Sequence, residues 1–357
     1  MLRKFSLAII AAMSFFASFS QDTTQTLTFS GSIDAYYRYN FSGQQNNYSS
    51  FTNSQNSFEL GMASLKAEAT AWSGKVGATV DLGFGRRAEE FSYNDGDADA
   101  GKNGFTTLAV IKQAFVTYNV TSKIKFTAGK FATHVGYELL DAHLNKNYSM
   151  SYMFTNGPFF HTGLKADITA GPIAFMLGAT NYTDQSTSST AVKNLIAQIS
   201  GGTKNGKLKA FLNYSGFAGS DSGKNPSALK SLHQIDLVLN GIISSKFGIG
   251  CNSTIQNRKP TLASSGSWIG NALYLNYDPN ATIGLTLRSE YISDKKTIYF
   301  ITKSIFANTI SLNYKVGALT IIPELRFESA NSDFYLKKDG TDTKSTASAL
   351  LAVIYKF

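Results

Sequence analysis

The chain has 357 residues, of which 43% are hydrophobic and only 16% charged, with a formal net charge of +9. That charged fraction is well below the ~25% usual for soluble domains, and Tyr, Phe and Gly are plentiful while Pro is scarce. The single cysteine, Cys251, excludes an internal disulfide, and no basic run is interleaved with aromatics as a nucleic-acid surface would require, so no nucleic-acid partner is expected.

The sequence opens on an export signal. Arg3 and Lys4 precede an apolar stretch from Leu7 to Phe19, and the small residues Ser18 and Ser20 stand just before Gln21. This charged, apolar, small-residue order is the one signal peptidase reads, so 1–20 is expected to be a signal peptide and 21–357 the mature chain. The apolar core is too short to cross a bilayer as a helix. No later run approaches the ~18 apolar residues a membrane helix needs. A mature chain that enters a membrane must then do so as a closed barrel, because lipid tolerates no unpaired strand edge.

From Thr26 onward the dominant signal is period two. Leu27, Phe29, Ile33, Ala35, Tyr37 and Tyr39 alternate with Thr28, Ser30, Ser32, Asp34, Arg38 and Asn40, and near the other end Ala349, Leu351, Val353, Tyr355 and Phe357 alternate with polar or small residues. Alternation turns one face of a strand to lipid and the other to a lumen, although a soluble sandwich alternates too. Strand length separates the two cases. The segments run about ten to fifteen residues, against ~5–6 for typical soluble strands and ~9–11 for tilted membrane strands. Sixteen strands are predicted, at 26–41, 57–72, 75–87, 106–120, 123–134, 160–170, 173–182, 193–203, 207–215, 230–241, 246–256, 267–277, 281–293, 302–315, 318–329 and 345–357. Their joins alternate between short turns, such as Ser73-Gly74, Gly171-Pro172 and Lys204-Asn205-Gly206, and long polar stretches such as 42–56, 88–105 and 330–344. Short turns on one rim and long loops on the other are the outer-membrane pattern. Aromatics, including Tyr39, Trp72, Tyr118, Tyr214, Trp268, Tyr277, Tyr291, Tyr314 and Phe327, fall towards strand ends, where interfacial girdles place them. The fold expected is an all-β, transmembrane, antiparallel up-and-down β-barrel of about 16 strands.

Once the apolar phase is fixed, the opposite phase names the lumen. Strand 281–293 sends Arg288 and Glu290 inward, and strand 318–329 sends Glu324, Arg326 and Glu328. The strand between offers the short side chains Ala307, Thr309, Ser311 and Asn313 to the same face, so an Arg/Glu ladder is expected across them. The same phase places Asp34, Arg38, Lys66, Glu68, Asp81, Arg87, Lys165, Asp167, Lys209 and Asp236 inside. This charge content fits a wet interior better than a dry core. For any one of these pore-lining residues, bracing the wall competes with contacting solute. Outward phase makes Cys251 a small apolar filler.

The stretch from Val135 to Pro158 interrupts the alternation with Glu138, Asp141, His143 and Lys146 among Tyr137, Tyr148, Tyr152 and Phe154. Long irregular loops of such content tend to be functional, and 135–158 is expected to fold into the barrel as a constriction loop.

Several segments resemble the OmpL-like β-barrel porin family of Bacteroidetes outer membranes. They are Gly129-Lys130-Phe131 through Gly136-Tyr137-Glu138, Tyr148-Ser149-Met150-Ser151-Tyr152 through Gly157-Pro158-Phe159-Phe160-His161-Thr162-Gly163, and Leu287-Arg288-Ser289-Glu290-Tyr291. The resemblance implies an outer-membrane porin and brings no catalytic residues. Other chemistry is thinly marked. Asp95 to Gly101 resembles a calcium loop, but its sixth position is Ala100 and its twelfth Thr106, where an EF-hand needs Gly and Glu. His134, His143, His161 and His233 lack metal-ligand spacing. There is no Gly-x-Ser-x-Gly elbow for a hydrolase. The reading is a non-enzymatic porin in the outer membrane of a Gram-negative cell, passing small hydrophilic solutes, with outer-membrane lipid as its other partner. No cofactor or metal is expected, and a homo-oligomer is left open. The alternative is a non-conducting barrel that serves as an adhesin or assembly scaffold.

Overall fold

The computed structural model describes residues 25–95, 107–188, 192–218, 229–261, 264–297, 302 and 304–357. The expected signal peptide, and Gly96 to Gly101 of the acidic stretch, lie outside the described residues. The strands are β1 (Thr26–Asn40), β2 (Ser57–Ala71), β3 (Val76–Phe84), β4 (Ile111–Thr121), β5 (Ile124–Ala132), β6 (Phe160–Ala170), β7 (Ile173–Thr180), β8 (Asn194–Gly202), β9 (Leu208–Ala218), β10 (Leu229–Ile242), β11 (Phe247–Pro260), β12 (Gly266–Tyr277), β13 (Ile283–Ser293), β14 (Ser304–Val316), β15 (Leu319–Ala330), β16 (Tyr335–Leu336), β17 (Asp342–Thr343) and β18 (Ser345–Lys356). All but β16 and β17 join one antiparallel sheet that closes on itself through β1 and β18, with Ile33 opposite Tyr355 and Tyr39 opposite Ala349. β16 and β17 form a small hairpin in the connection to β18. The barrel therefore has the sixteen strands the alternation predicts.

Several strand ends differ from the sequence reading, each for a local reason. β3 stops at Phe84 because Gly85 takes a φ of +117°, and residues Arg86–Phe91 form a short helix. Arg87 thus enters the barrel from a helix, not from a strand. The phase slip near Met62 is a bulge: Asp34 pairs with Met62 and Ala35 with Leu60, which leaves Gly61 unpaired. A second bulge makes Lys112 the extra residue, since Asp81 pairs with Gln113 and Leu82 with Ile111.

Most outward side chains are apolar and bare, as at Leu177, Leu212, Ile310 and Leu351. Two aromatic bands lie on the outer face. Trp72, Tyr118, Tyr277, Tyr314 and Tyr355 lie near the short turns, and Tyr39, Phe41, Phe84, Tyr291 and Phe327 lie near the long loops. Trp268 is the exception to the expected girdle. It is fully buried inside the barrel, in phase with Ala272 and Tyr274, and donates its indole N–H to Gln256 at 3.3 Å. Its neighbour in that phase, Gly270, leaves room for the side chain of Met153.

This sidedness predicts unequal costs for the same substitution. Ile310→Arg, on the lipid face at the middle of β14, is expected to lower stability by about 2–4 kcal/mol. Gln198→Arg, on the inner face of β8, is expected to lower it by less than about 1 kcal/mol. Urea unfolding of both variants in lipid vesicles measures the difference.

Candidate functional site

The connection from β5 to β6, residues 133–159, turns into the barrel and crosses its interior. Gly136 bends the chain inward with a φ of +95° and donates its N–H to Asp236 of β10 at 3.0 Å. Tyr137 follows, donating its N–H to Asn252 at 3.3 Å and stacking on Tyr274 with ring centroids 3.9 Å apart. The wall makes room by omission. A Cβ on Gly250 would lie 2.4 Å from the Tyr137 ring, and one on Gly270 would lie 2.4 Å from Met153. Past a 3-10 turn at Ala142–Leu144, the segment runs along the wall from the end of β12 through β14 to β1. There Lys146 pairs with Asp278, Asn147 donates to Ser311 at 2.7 Å, and the Tyr148 hydroxyl donates to Asp34. The helical turn Tyr152–Asn156 starts at Ser151, whose hydroxyl accepts the Phe154 N–H at 3.1 Å.

The expected ladder is present. The register places Arg288, Thr309 and Arg326 in one row and Glu290, Ala307 and Glu328 in the next. Glu290 lies 3.3 Å from Arg288 and 3.1 Å from Arg326, and Arg326 lies 2.7 Å from Glu328. The ladder is not open to water: Arg288, Glu290, Glu324, Arg326 and Glu328 are each at most 4% exposed. Residues 138–152 cover it and complete its bonding. Arg288 reaches Glu138 at 2.6 Å and donates to the carbonyl of Ser149 at 2.6 Å, and Arg326 donates to the carbonyl of Met150 at 3.0 Å. Glu290 accepts the Tyr152 N–H at 2.7 Å, and Glu324 accepts the Tyr148 N–H at 2.9 Å. Glu328 accepts the Tyr152 hydroxyl at 2.8 Å. A buried charge needs such partners, since desolvation otherwise exceeds the attraction.

The other predicted residues divide by height. Arg38 is buried and donates to the carbonyls of Ser54 and Asn46 in the 41–56 loop. Asp81 is held by Lys112 at 2.9 Å, and Lys112 also reaches Asp141 at 2.6 Å. Lys66 and Glu68 pair at 2.8 Å, and Lys165 and Asp167 at 3.4 Å, in the more open half towards the short turns. His143 stands apart from His134 and His161, lining a cavity beside β14, β15 and β18, whereas His134 and His161 have ring centroids 5.4 Å apart. Burial pushes His134 down to about 4, so the neutral imidazole meets the carbonyl of Tyr214.

Sequence reasoning missed three charged residues. Lys112 is a bulge residue, invisible to strict alternation. Lys130 bonds Asp95 at 2.7 Å with its ammonium 3.8 Å from the centre of the Phe160 ring. Asp184, in the 181–193 loop, accepts the N–H groups of Phe159 at 2.6 Å and Phe160 at 3.0 Å and the hydroxyl of Tyr93 at 3.0 Å. It thereby ties the end of the inserted segment to two neighbouring loops. Beneath this tie Phe51, Phe91, Phe154, Phe159 and Phe160 pack together, with the Arg87 guanidinium 5.0 Å from the Phe51 ring centroid. Among the described residues, no three His, Cys, Asp or Glu gather as a metal site.

Two outcomes follow. Arg288→Met leaves Glu138 without its cation, Glu290 with Arg326 alone and the Ser149 carbonyl short of a donor; it is expected to cost about 3–5 kcal/mol, read by urea unfolding. Burial pushes the Asp184 carboxyl up to about 7, against the pull of its N–H partners. Because the folded state holds the proton more tightly, its contribution favours the folded state at acid pH and fades as pH rises from about 4 to about 7. Hydrogen exchange at Phe159 and Phe160, compared with Asp184→Asn, checks this: the wild-type loop base should open more readily at pH 8 than at pH 5 after correction for intrinsic exchange, and the variant should lose that difference.

The comparisons agree with this geometry. Residues 26–357 match the family described as "Putative beta-barrel porin-2, OmpL-like". No curated protein matches the chain by sequence. Among solved structures, the outer membrane channel DcaP of Acinetobacter baumannii is similar over 95% of this chain and 99% of its own, at 14% identity and a TM-score of 0.62. An anion-selective porin from Comamonas acidovorans is similar over 94% and 100%, at 10% identity and a TM-score of 0.61. A trimer form of OmpT, an outer membrane protein of Vibrio cholerae, is similar over 94% and 100%, at 12% identity and a TM-score of 0.58. These identities carry the fold, whereas the family match spans the whole described barrel: the chain belongs to the OmpL-like β-barrel porin-2 family.

Proposed function

We propose that the protein is an outer-membrane porin through which small hydrophilic solutes diffuse passively, with residues 135–158 as its constriction. The observation that carries this reading is a long loop seated inside a closed sixteen-strand barrel on a charged inner wall. Cavities lie on both faces of the inserted segment. One of about 210 Å³ lies between Asn156, Tyr93 and Arg258 towards the long loops, and others of about 270 and 300 Å³ lie beside 143–147 towards the short turns.

In this reading the inward residues divide their work. Asp81, Arg288, Glu290, Glu324, Arg326 and Glu328 hold the constriction in place, together with Glu138 and Asp141 from the loop, while Arg38 holds the 41–56 loop. Lys66, Glu68, Lys165 and Asp167, together with His143 and Lys146, face the solute path. Residues 1–20 direct export, and the resemblance to Bacteroidetes proteins belongs to the same proposal. The trimer form named for the Vibrio cholerae protein makes a homo-oligomer the assembly to look for.

Deletion of 140–156 with a short linker tests the constriction. Single-channel conductance in a planar bilayer is expected to rise about twofold or more, because the segment crosses the interior that ions must share. An unchanged conductance would refute the constriction, and a wild-type barrel that never conducts would favour the scaffold reading.

A further inference from the structure

Every ladder cation at mid-height has a carboxylate partner, and some cations nearer the short turns have none. At mid-height, Arg288 pairs with Glu138 and Glu290, and Arg326 with Glu290 and Glu328. Towards the short turns the wall changes. Lys66 and Glu68 neutralise each other, and Asp167 is shared by Lys165 at 3.4 Å and Lys125 at 3.6 Å. Lys209, Lys315 and Lys356 share this end of the interior by phase. Among the described residues none of the three has a carboxylate within ion-pair distance. The backbone oxygen of Phe357 accepts the Gly31 N–H at 3.0 Å, on the β1 side.

Two of these lysines converge. Lys315 of β14 and Lys356 of β18 line one cavity of about 300 Å³, closed on its other side by His143, Asn145 and Lys146 of the inserted segment. Lys146 is neutralised by Asp278, so the excess positive charge comes from the other two. His143 presents a buried Nδ1 with no hydrogen-bond partner, and Asn145, Asn313 and Thr320 add neutral polar groups. Ile322 and Ile354 back the cavity with apolar surface, and the exposed side chains of Lys315 and Lys356 stand at its mouth. Two like charges facing one small cavity repel, and an anion between them relieves that repulsion.

We propose that this cavity is a binding subsite for small oxyanions, phosphate or carboxylate in kind, at the periplasmic mouth, and that it makes passage through the porin anion-preferring. The proposal rests on the pore reading above and names the class of solute. A free phosphate and a free carboxylate would use the same lysines, and the probes below separate them.

The test compares the full-length wild type with the double variant Lys315→Gln and Lys356→Gln, each checked for folding by heat-modifiable migration. In a planar bilayer under a KCl gradient, the wild type should favour chloride over potassium, and the variant should lose at least about threefold of that permeability ratio. Calorimetric titration of the detergent-solubilised barrel with pyrophosphate should show binding that weakens at least about tenfold in the variant. Citrate in place of pyrophosphate tells the two ligand classes apart: binding of both assigns the site to charge alone, and binding of one assigns its class. Cation preference in the wild type, or a permeability ratio and pyrophosphate affinity left unchanged by the double substitution, overturns the proposal. Failure of the pore reading looks different: no conductance, with pyrophosphate binding and its loss in the variant intact.

Discussion

A peptide group in hydrocarbon can satisfy its N–H and C=O only with another peptide group. With no helix among the described residues long and apolar enough to cross a membrane, that constraint leaves one solution for spanning it, a sheet with no edges. The pairing of β1 with β18 removes the last edge. Everything else follows from the closure. One phase of every strand meets lipid and must be apolar, and the other meets the interior and is free to be polar. Gly61 and Lys112 stand at bulges where the strict count of two breaks, and both positions bring polar groups from the inserted segment against the wall.

The interior then faces its own version of the same problem. The polar phase of β13, β14 and β15 carries more ionised groups than an enclosed wall can leave bare, and water or protein must bond them. Residues 133–159 supply protein partners. Their backbone carbonyls meet the guanidinium groups of Arg288 and Arg326, and their N–H groups meet the carboxylates of Glu290 and Glu324. Neither side is satisfied alone, so the segment and the ladder hold each other. The same logic sets the wall from β8 to β11. There the amides of Gln198, Asn213 and Asn252 form a chain around the single carboxylate of Asp236 that needs less from the loop.

The fold was legible in the sequence because sidedness is written into every second residue. The ladder was legible too, because the short side chains Ala307 and Thr309 lie between longer charged neighbours at fixed register. What remained hidden depended on contacts between distant segments. Arg87 reads as a strand residue until Gly85 ends β3, and Trp268 reads as a girdle residue until Met153 is seen to fill the space over Gly270. The dryness of the ladder could not be read from β13 or β15, because residues more than a hundred positions away exclude the water. Asp184 carried no pattern at all, and its importance comes from three loops meeting in space.

Charge is divided unevenly between the two ends of the interior: the ladder ions held by the loop are paired, and towards the short turns Lys66 pairs with Glu68 and Lys165 with Asp167 while Lys209, Lys315 and Lys356 have no carboxylate within ion-pair distance among the described residues. All of this depends on the two faces of each strand meeting different solvents. The direct test places single cysteines along β14 from Ile305 to Lys315 in a Cys251→Ser background, attaches a fluorophore to each, and measures quenching by brominated acyl chains in vesicles. Strong quenching at Phe306, Asn308, Ile310, Leu312 and Tyr314, with little at the positions between, is the result expected. Quenching without that alternation would contradict the account.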